Sequence, residues 1–193
     1  MMFGLIERMR SGKMNLFITF LGNAYLALWN SIFCYVPSYV FRMLVLRFLY
    51  GVKMGRNVNI HSGVKILKPW GIVIGSDVNI QMGSFLDGRG GIRIGNNVDI
   101  TLFVKILTQQ HDMQDGNYTT ISRAVTIGDN CVIGSYALIM PGVRIDEGGV
   151  IGAGSVVVKD VREWQIAVGN PCREIKPRVS LINYKVGYRR HFH

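Results

Sequence analysis

One imidazole stands where its chemistry would count. The stretch 107–124, LTQQHDMQDGNYTTISRA, is largely polar, and His111 is the only histidine in it. Imidazole titrates near neutrality, so a histidine on such a loop can take a proton from a hydroxyl. Asp112 and Asp115 stand near enough in sequence to orient its ring. An exposed loop histidine without a task is the competing reading of the same residue. Metal chemistry has less to draw on. His61 and His111 are the only histidines between residues 52 and 166, and Cys34, Cys131 and Cys172 are odd in number and lack ligand spacing. These cysteines read as reduced thiols in a cytosolic setting.

A repeat must position this stretch. From 127 to 161 an aliphatic residue returns every sixth position, at Ile127, Ile133, Ile139, Ile145, Ile151 and Val157. Four positions after each stands a small or β-branched residue: Cys131, Ala137, Val143, Gly149, Ser155 and Val161. Neither a helical period nor simple alternation produces this beat; a β-solenoid with one short strand per hexad does. Earlier in the chain the beat comes in threes: Met54, Ile60, Ile66; Ile74, Ile80, Leu86; Ile94, Ile100, Ile106. Three hexads make one triangular coil. The spacing between triplets is eight, so two extra residues bulge at one corner, near Lys68 to Gly71 and Asp87 to Gly91. Insertions confined to one corner are expected of a solenoid, whose loops stack on one face. The predicted fold is an all-β solenoid of about five triangular coils. Each buried marker contributes on the order of 1.5–3 kcal/mol.

The flanks differ from the repeat. Residues 16–36 form a nearly apolar run interrupted by Thr19, Asn23, Asn30 and Ser31, preceded by Arg8, Arg10 and Lys13 and ended by Pro37. The run admits two readings, a membrane segment or an apolar helix docked on protein. No small-x-small cleavage site follows, which argues against a signal peptide. Behind it, Phe41, Leu44, Val45 and Phe48 recur at helical spacing with Arg42 and Arg47 between them, and Gly51 stops the turn. That is an amphipathic helix, set on an anionic leaflet, packed against the first helix, or placed as a cap on the solenoid's open end. Beyond Val161 the beat stops, Pro171 and Pro177 exclude further regular strand, and 181–193 alternates weakly enough for an edge strand. The expected division is 1–51 for the helices, 52–166 for the solenoid with a loop at 107–126, and 167–193 for an irregular tail. Among 193 residues, 49% apolar content and 23 glycines exclude a disordered chain, and a net charge of +10 calls for an anionic partner. Nucleic acid has no aromatic–basic motif to support it.

IGDNCVIG at 127–134, PGVRI at 141–145, IGAGSVVVKDV at 151–161 and AVGNPCREI at 167–175 resemble the hexapeptide-repeat O-acetyltransferases, the group with galactoside, maltose and nodulation-factor enzymes. The resemblance covers roughly 52–178, and the first 50 residues look like capsule or lipopolysaccharide members. It implies a left-handed parallel β-helix, a homotrimer with intersubunit active sites, acetyl-CoA as donor, no metal, and a sugar acceptor in capsule, exopolysaccharide or lipopolysaccharide synthesis. The setting would be cytoplasmic, with peripheral membrane contact through 14–50 as a further expectation.

By family position His111, seventeen residues after the Ile94 that opens IGNN, is the catalytic base. The family often orients this ring with a backbone carbonyl. Gln81, Asp87 and Asp112 would meet the acceptor, Gln81 standing where galactoside enzymes place an Asn. Gly134, Ser135 and Ala153 would line the pantetheine arm, and Lys159, Arg173 and Lys176 would meet the phosphates. Val158 replaces a common Thr there. Two other classes share the coil: a non-catalytic scaffold or sugar-binding subunit, and γ-type carbonic anhydrases, which need more histidines than this repeat holds.

Overall fold

The computed structural model describes residues 12–187; Arg8, Arg10, Arg189, Arg190, His191 and His193 lie outside the described residues. Short strands are numbered β1 to β19 in chain order, and all but β10, β11 and β19 build three parallel faces. The first face stacks β1 (Lys53–Met54), β4 (Ile72–Ile74), β7 (Ile92–Ile94), β12 (Val125–Ile127) and β15 (Arg144–Ile145). The second stacks β2 (Asn59–Ile60), β5 (Asn79–Ile80), β8 (Asp99–Ile100), β13 (Val132–Ile133), β16 (Val150–Ile151) and β18 (Gln165–Val168). The third stacks β3 (Lys65–Leu67), β6 (Phe85–Asp87), β9 (Lys105–Ile106), β14 (Leu138–Ile139) and β17 (Val156–Val157). Five complete coils result, and β18 begins a sixth.

The markers are what align the coils. Ile74, Ile94, Ile127 and Ile145 follow one another in register on the first face, as do Ile60, Ile80, Ile100, Ile133 and Ile151 on the second. Every one of these side chains is buried, and so are Val58, Val78, Val98, Cys131 and Ala137, which stand four positions after a marker. A one-residue slip would turn this whole set outward. At the corner after the first face the chain turns through left-handed residues Asn57, Asp77, Asn97 and Asn130, types that tolerate positive φ. Their side chains bond from coil to coil, Asn57 Nδ2 to Asp77 Oδ1 at 2.9 Å and Asn97 Nδ2 to Asn130 Oδ1 at 2.8 Å.

Helix α1 (Gly12–Ser31) ends six residues before Pro37, a 3-10 turn (Phe33–Tyr35) follows, and α2 (Tyr39–Leu44) runs into a π turn (Val45–Leu49). Together they close the open end of the first coil, whose strand edges would otherwise leave polar groups unpaired. Trp29 Nε1 donates to Val64 O, Asn30 bonds both Ile66 O and Ile66 N, Arg42 Nε donates to Ile60 O, and Arg47 donates to Met54 O and Gly55 O. Among the described residues no helix is long and apolar enough to cross a membrane.

The second helix faces the other way from its sequence pattern. Arg42 and Leu46 are buried while Phe41, Leu44 and Phe48 are exposed. The reason is that the carbonyl edge of the first coil needs a donor more than a hydrocarbon.

The C-terminal expectation also fails in part. β18 pairs with β16, Ile151 opposite Ala167, and β19 (Arg173–Pro177) folds back antiparallel on it. Pro171 sits in the turn between them and Pro177 at the end, so neither interrupts a ladder. Residues 178–187 form no strand. They run along the asparagine corner instead, with Arg178 donating to Asn130 O and Gly148 O and Asn97 bonded to Tyr184 O and Val186 N.

Candidate active site

The corner after the third face is enlarged in the first three coils, and at the third coil it opens into a hairpin. Strand β10 (Gln109–His111) pairs antiparallel with β11 (Thr120–Ser122), His111 opposite Thr120. The root of the hairpin is fastened by Asp87. Thr108 N and Arg89 N donate to its carboxylate, Arg89 adds a two-pronged contact at 2.8 and 3.0 Å, and Thr108 Oγ1 donates to the Asp87 carbonyl at 2.6 Å. The Asp87 side chain has no exposed surface. Burial pushes its carboxyl up, but the hydrogen bonds from Arg89 and Thr108 outweigh that and hold it below the usual carboxylate range.

At the hairpin tip His111 Nδ1 lies 2.9 Å from Tyr118 O, and its ring stacks on the Tyr118 ring at 3.9 Å and 11°. A carbonyl can only accept, so Nδ1 carries the proton and the lone pair resides on Nε2. Tyr118 reaches this position with φ +55°, a left-handed turn. Asp112 and Asp115 serve other groups: Asp112 Oδ1 accepts from Gln114 N and Asp115 Oδ1 from Asn117 N. The ring is therefore oriented by a main-chain oxygen rather than by either carboxylate. Tyr118 escaped the sequence reading because a main-chain carbonyl that accepts a hydrogen bond leaves no trace in residue type.

Gln81, Gly134, Ser135 and Ala153 stand together at another corner, the one after the second face. Coil-to-coil bonds from Gln81 N to Ile100 O, Thr101 N to Ile133 O and Gly134 N to Ile151 O put them in one column. Gln81 Nε2 donates to Asp99 Oδ1 at 3.3 Å and Ser135 Oγ to Thr101 Oγ1 at 3.1 Å. Gly134 is required for packing as well, since a Cβ there would lie 2.5 Å from Ala153 N. Phe103 and Tyr136 extend the column outward with positive φ and stacked rings 5.0 Å apart. Within one chain this column and His111 thus occupy different edges of the prism.

Lys159 and Arg173 share an open groove of about 420 Å³ with Arg162 and Cys172. Lys176 lines a different groove, beside Ile166 and Tyr184. All three cysteines are buried and free. Burial pushes each thiol up, Cys131 to about 12, so none presents a ready thiolate. Among the described residues no group of three or more His, Cys, Asp or Glu could hold a metal ion.

Residues 115–159 match the family profile described as bacterial transferase hexapeptide (six repeats). No curated protein sequence matches the chain. Solved structures do. A maltose O-acetyltransferase from Clostridium difficile 630 is 30% identical, with 82% of this chain and 84% of that one covered and a TM-score of 0.65. A galactoside acetyltransferase in complex with coenzyme A is 29% identical over 86% of each chain, with a TM-score of 0.73. A hexapeptide-repeat acetyltransferase of Vibrio cholerae complexed with acetyl coenzyme A is 25% identical over 82% of this chain and 85% of that one, with a TM-score of 0.71.

The phased prism and these likenesses define a left-handed β-helix protein of the hexapeptide class. The chain belongs to the hexapeptide-repeat acetyltransferase family.

Proposed function

We propose that the protein transfers an acetyl group from acetyl-CoA to a sugar hydroxyl, with His111 as general base. The observation that carries this is the Nδ1 contact to Tyr118 O, which leaves Nε2 as the acceptor of a proton. Nε2 takes the hydroxyl proton, and the sugar oxygen attacks the thioester carbonyl. The tetrahedral intermediate then collapses with cleavage of the carbon–sulfur bond, and the imidazolium returns the proton to the leaving thiolate. Transfer is direct, in keeping with three buried, unactivated thiols.

The small-residue column at Gly134, Ser135 and Ala153 suits a pantetheine arm, and Lys159 with Arg173 suits the phosphates at its end. Lys176, which lines the other groove, stands three residues beyond Arg173 on β19 and is a further candidate for the phosphates. Gln81 is the acceptor contact we retain. Asp87 and Asp112 act by holding the hairpin and its turn. Because His111 and the Gln81–Ala153 column stand at different corners, we assign the complete site to a seam between copies, as in a homotrimer. The acceptor class is a sugar of a surface polysaccharide, and the setting the cytoplasm, where acetyl-CoA is made available.

The test is coenzyme A release from acetyl-CoA against a panel of free and nucleotide-linked sugars. At least one sugar should stimulate release and gain a base-labile acetyl ester. If none does, and acetyl-CoA does not bind, the chain is a scaffold rather than an enzyme. An alkali-stable acetamide on an amino sugar would move the reaction from oxygen to nitrogen.

A further inference from the structure

The end cap carries apolar surface that the prism does not use. On α1 the side chains of Phe20, Leu21 and Leu28, and just past its end that of Ile32, are exposed at helical spacing, and on α2 and its π turn those of Val40, Phe41, Leu44 and Phe48. Phe20 is 66% and Phe48 77% exposed, far more than stray surface hydrophobes on a packed helix need be. The two helices are held against each other. Tyr25 stacks on Tyr50 at 4.3 Å, Tyr50 OH donates to Tyr25 O, and Phe33 meets Phe41 edge-on at 5.8 Å. Charge is segregated to the same end. Between residues 12 and 76 the chain has seven Lys or Arg and no carboxylate, whereas residues 77–187 hold eleven of each sign. Lys53 and Arg56 of the first coil are exposed, and Lys65 Nζ sits 4.4 Å over the exposed Tyr35 ring.

We propose that this capped end docks on an anionic bilayer surface, with the apolar stripes of α1 and α2 in the headgroup boundary and the first-coil cations against lipid phosphates. The helices lie on the surface rather than cross it, because Trp29 and Asn30 tie α1 to the first coil and no described helix is long and apolar enough to span. Charge selects lipid over a second copy: two such ends face to face would bring cations against cations, with only Asp77, bonded to Asn57 at the first coil's corner, to offset them. The docking does not depend on the acetyl-transfer reading.

The experiment is co-sedimentation of the full chain with vesicles of phosphatidylcholine alone or with about 30 mol% phosphatidylglycerol. The wild type should pellet with the anionic vesicles and bind the neutral ones at least roughly tenfold more weakly. Phe20→Glu with Phe48→Glu, both exposed sites, should lower anionic-vesicle binding about tenfold or more without shifting the melting temperature. Lys53→Glu with Arg56→Glu should reduce the preference for anionic lipid while the stripes stay intact. Failure to pellet with anionic vesicles, equal binding to neutral ones, or a double-Glu variant that binds like wild type would overturn the proposal. Self-association abolished by the double-Glu variant, with no vesicle binding, would make the patch an interface between copies. Coenzyme A release with a free sugar, measured on the same samples, should persist in the double-Glu variant; its loss in every sample would count against the enzyme and leave the docking result standing.

Discussion

The same corner of the prism is built in two ways. After Ile139 the chain turns through Met140, Pro141 and Gly142 and is back on the first face within a hexad; after Ile106, one coil earlier, it takes residues 107–124 to make the same return. Yet Ile106 pairs with Ile139 and Ile94 with Ile127, so both coils keep one register. Closing a longer loop adds little entropy cost, and the strands on either side fix its ends. The comparison teaches where such a fold can depart from its beat without losing register. The tight corner is scaffold alone, while the long one lifts an imidazole out of the beat and orients it on a carbonyl.

The contrast can be broken from the scaffold side first. Ile100→Ala, at a fully buried marker in the coil that launches the hairpin, should destabilise by about 2–5 kcal/mol in urea or thermal unfolding. Met113→Ala, at an exposed hairpin position, should stay within about 0.5 kcal/mol. Equal effects would mean the hairpin is as much core as the coil.

Asp87→Asn attacks the joint between the two. We expect a loss of about 2 kcal/mol near neutral pH, because Arg89 and the Thr108 amide lose an ionised acceptor. Asp87 has a folded pKa held below its unfolded one. Its contribution is therefore complete above the unfolded value of about 4 and is lost as pH falls through the folded value. The stability gap between wild type and the Asn variant should close in acid; a gap unchanged from neutral to acid pH would show that the ionised carboxylate is not what holds the root.

A smaller effect, read in turnover, should come from Tyr118→Leu, which keeps the carbonyl and removes only the stacked ring. Turnover should fall by roughly threefold to tenfold. A collapse equal to loss of His111 would transfer the orienting role from the carbonyl to the ring.

The markers were legible because each inward position has one demand, bulk at Ile127 or smallness at Ala137, and residue type answers it directly. The sixth coil was not, since Ala167 replaces the aliphatic marker opposite Ile151 and the pairing is visible only in the backbone. The cap misled for a related reason. Asn30 read as an interruption of an apolar run and Arg42 as the polar face of an amphipathic helix, whereas in the folded chain they satisfy Ile66 and Ile60 on the first coil's edge. His111 stood out as the lone imidazole of a polar stretch, but its partner could not, because any residue at 118 offers the same carbonyl.

The measurement that bears most directly on this account is kcat for His111→Ala with the sugar that best stimulates coenzyme A release, taken with its melting curve. The account predicts a drop of about 100-fold to 10,000-fold with the fold intact. Turnover equal to wild type would contradict it.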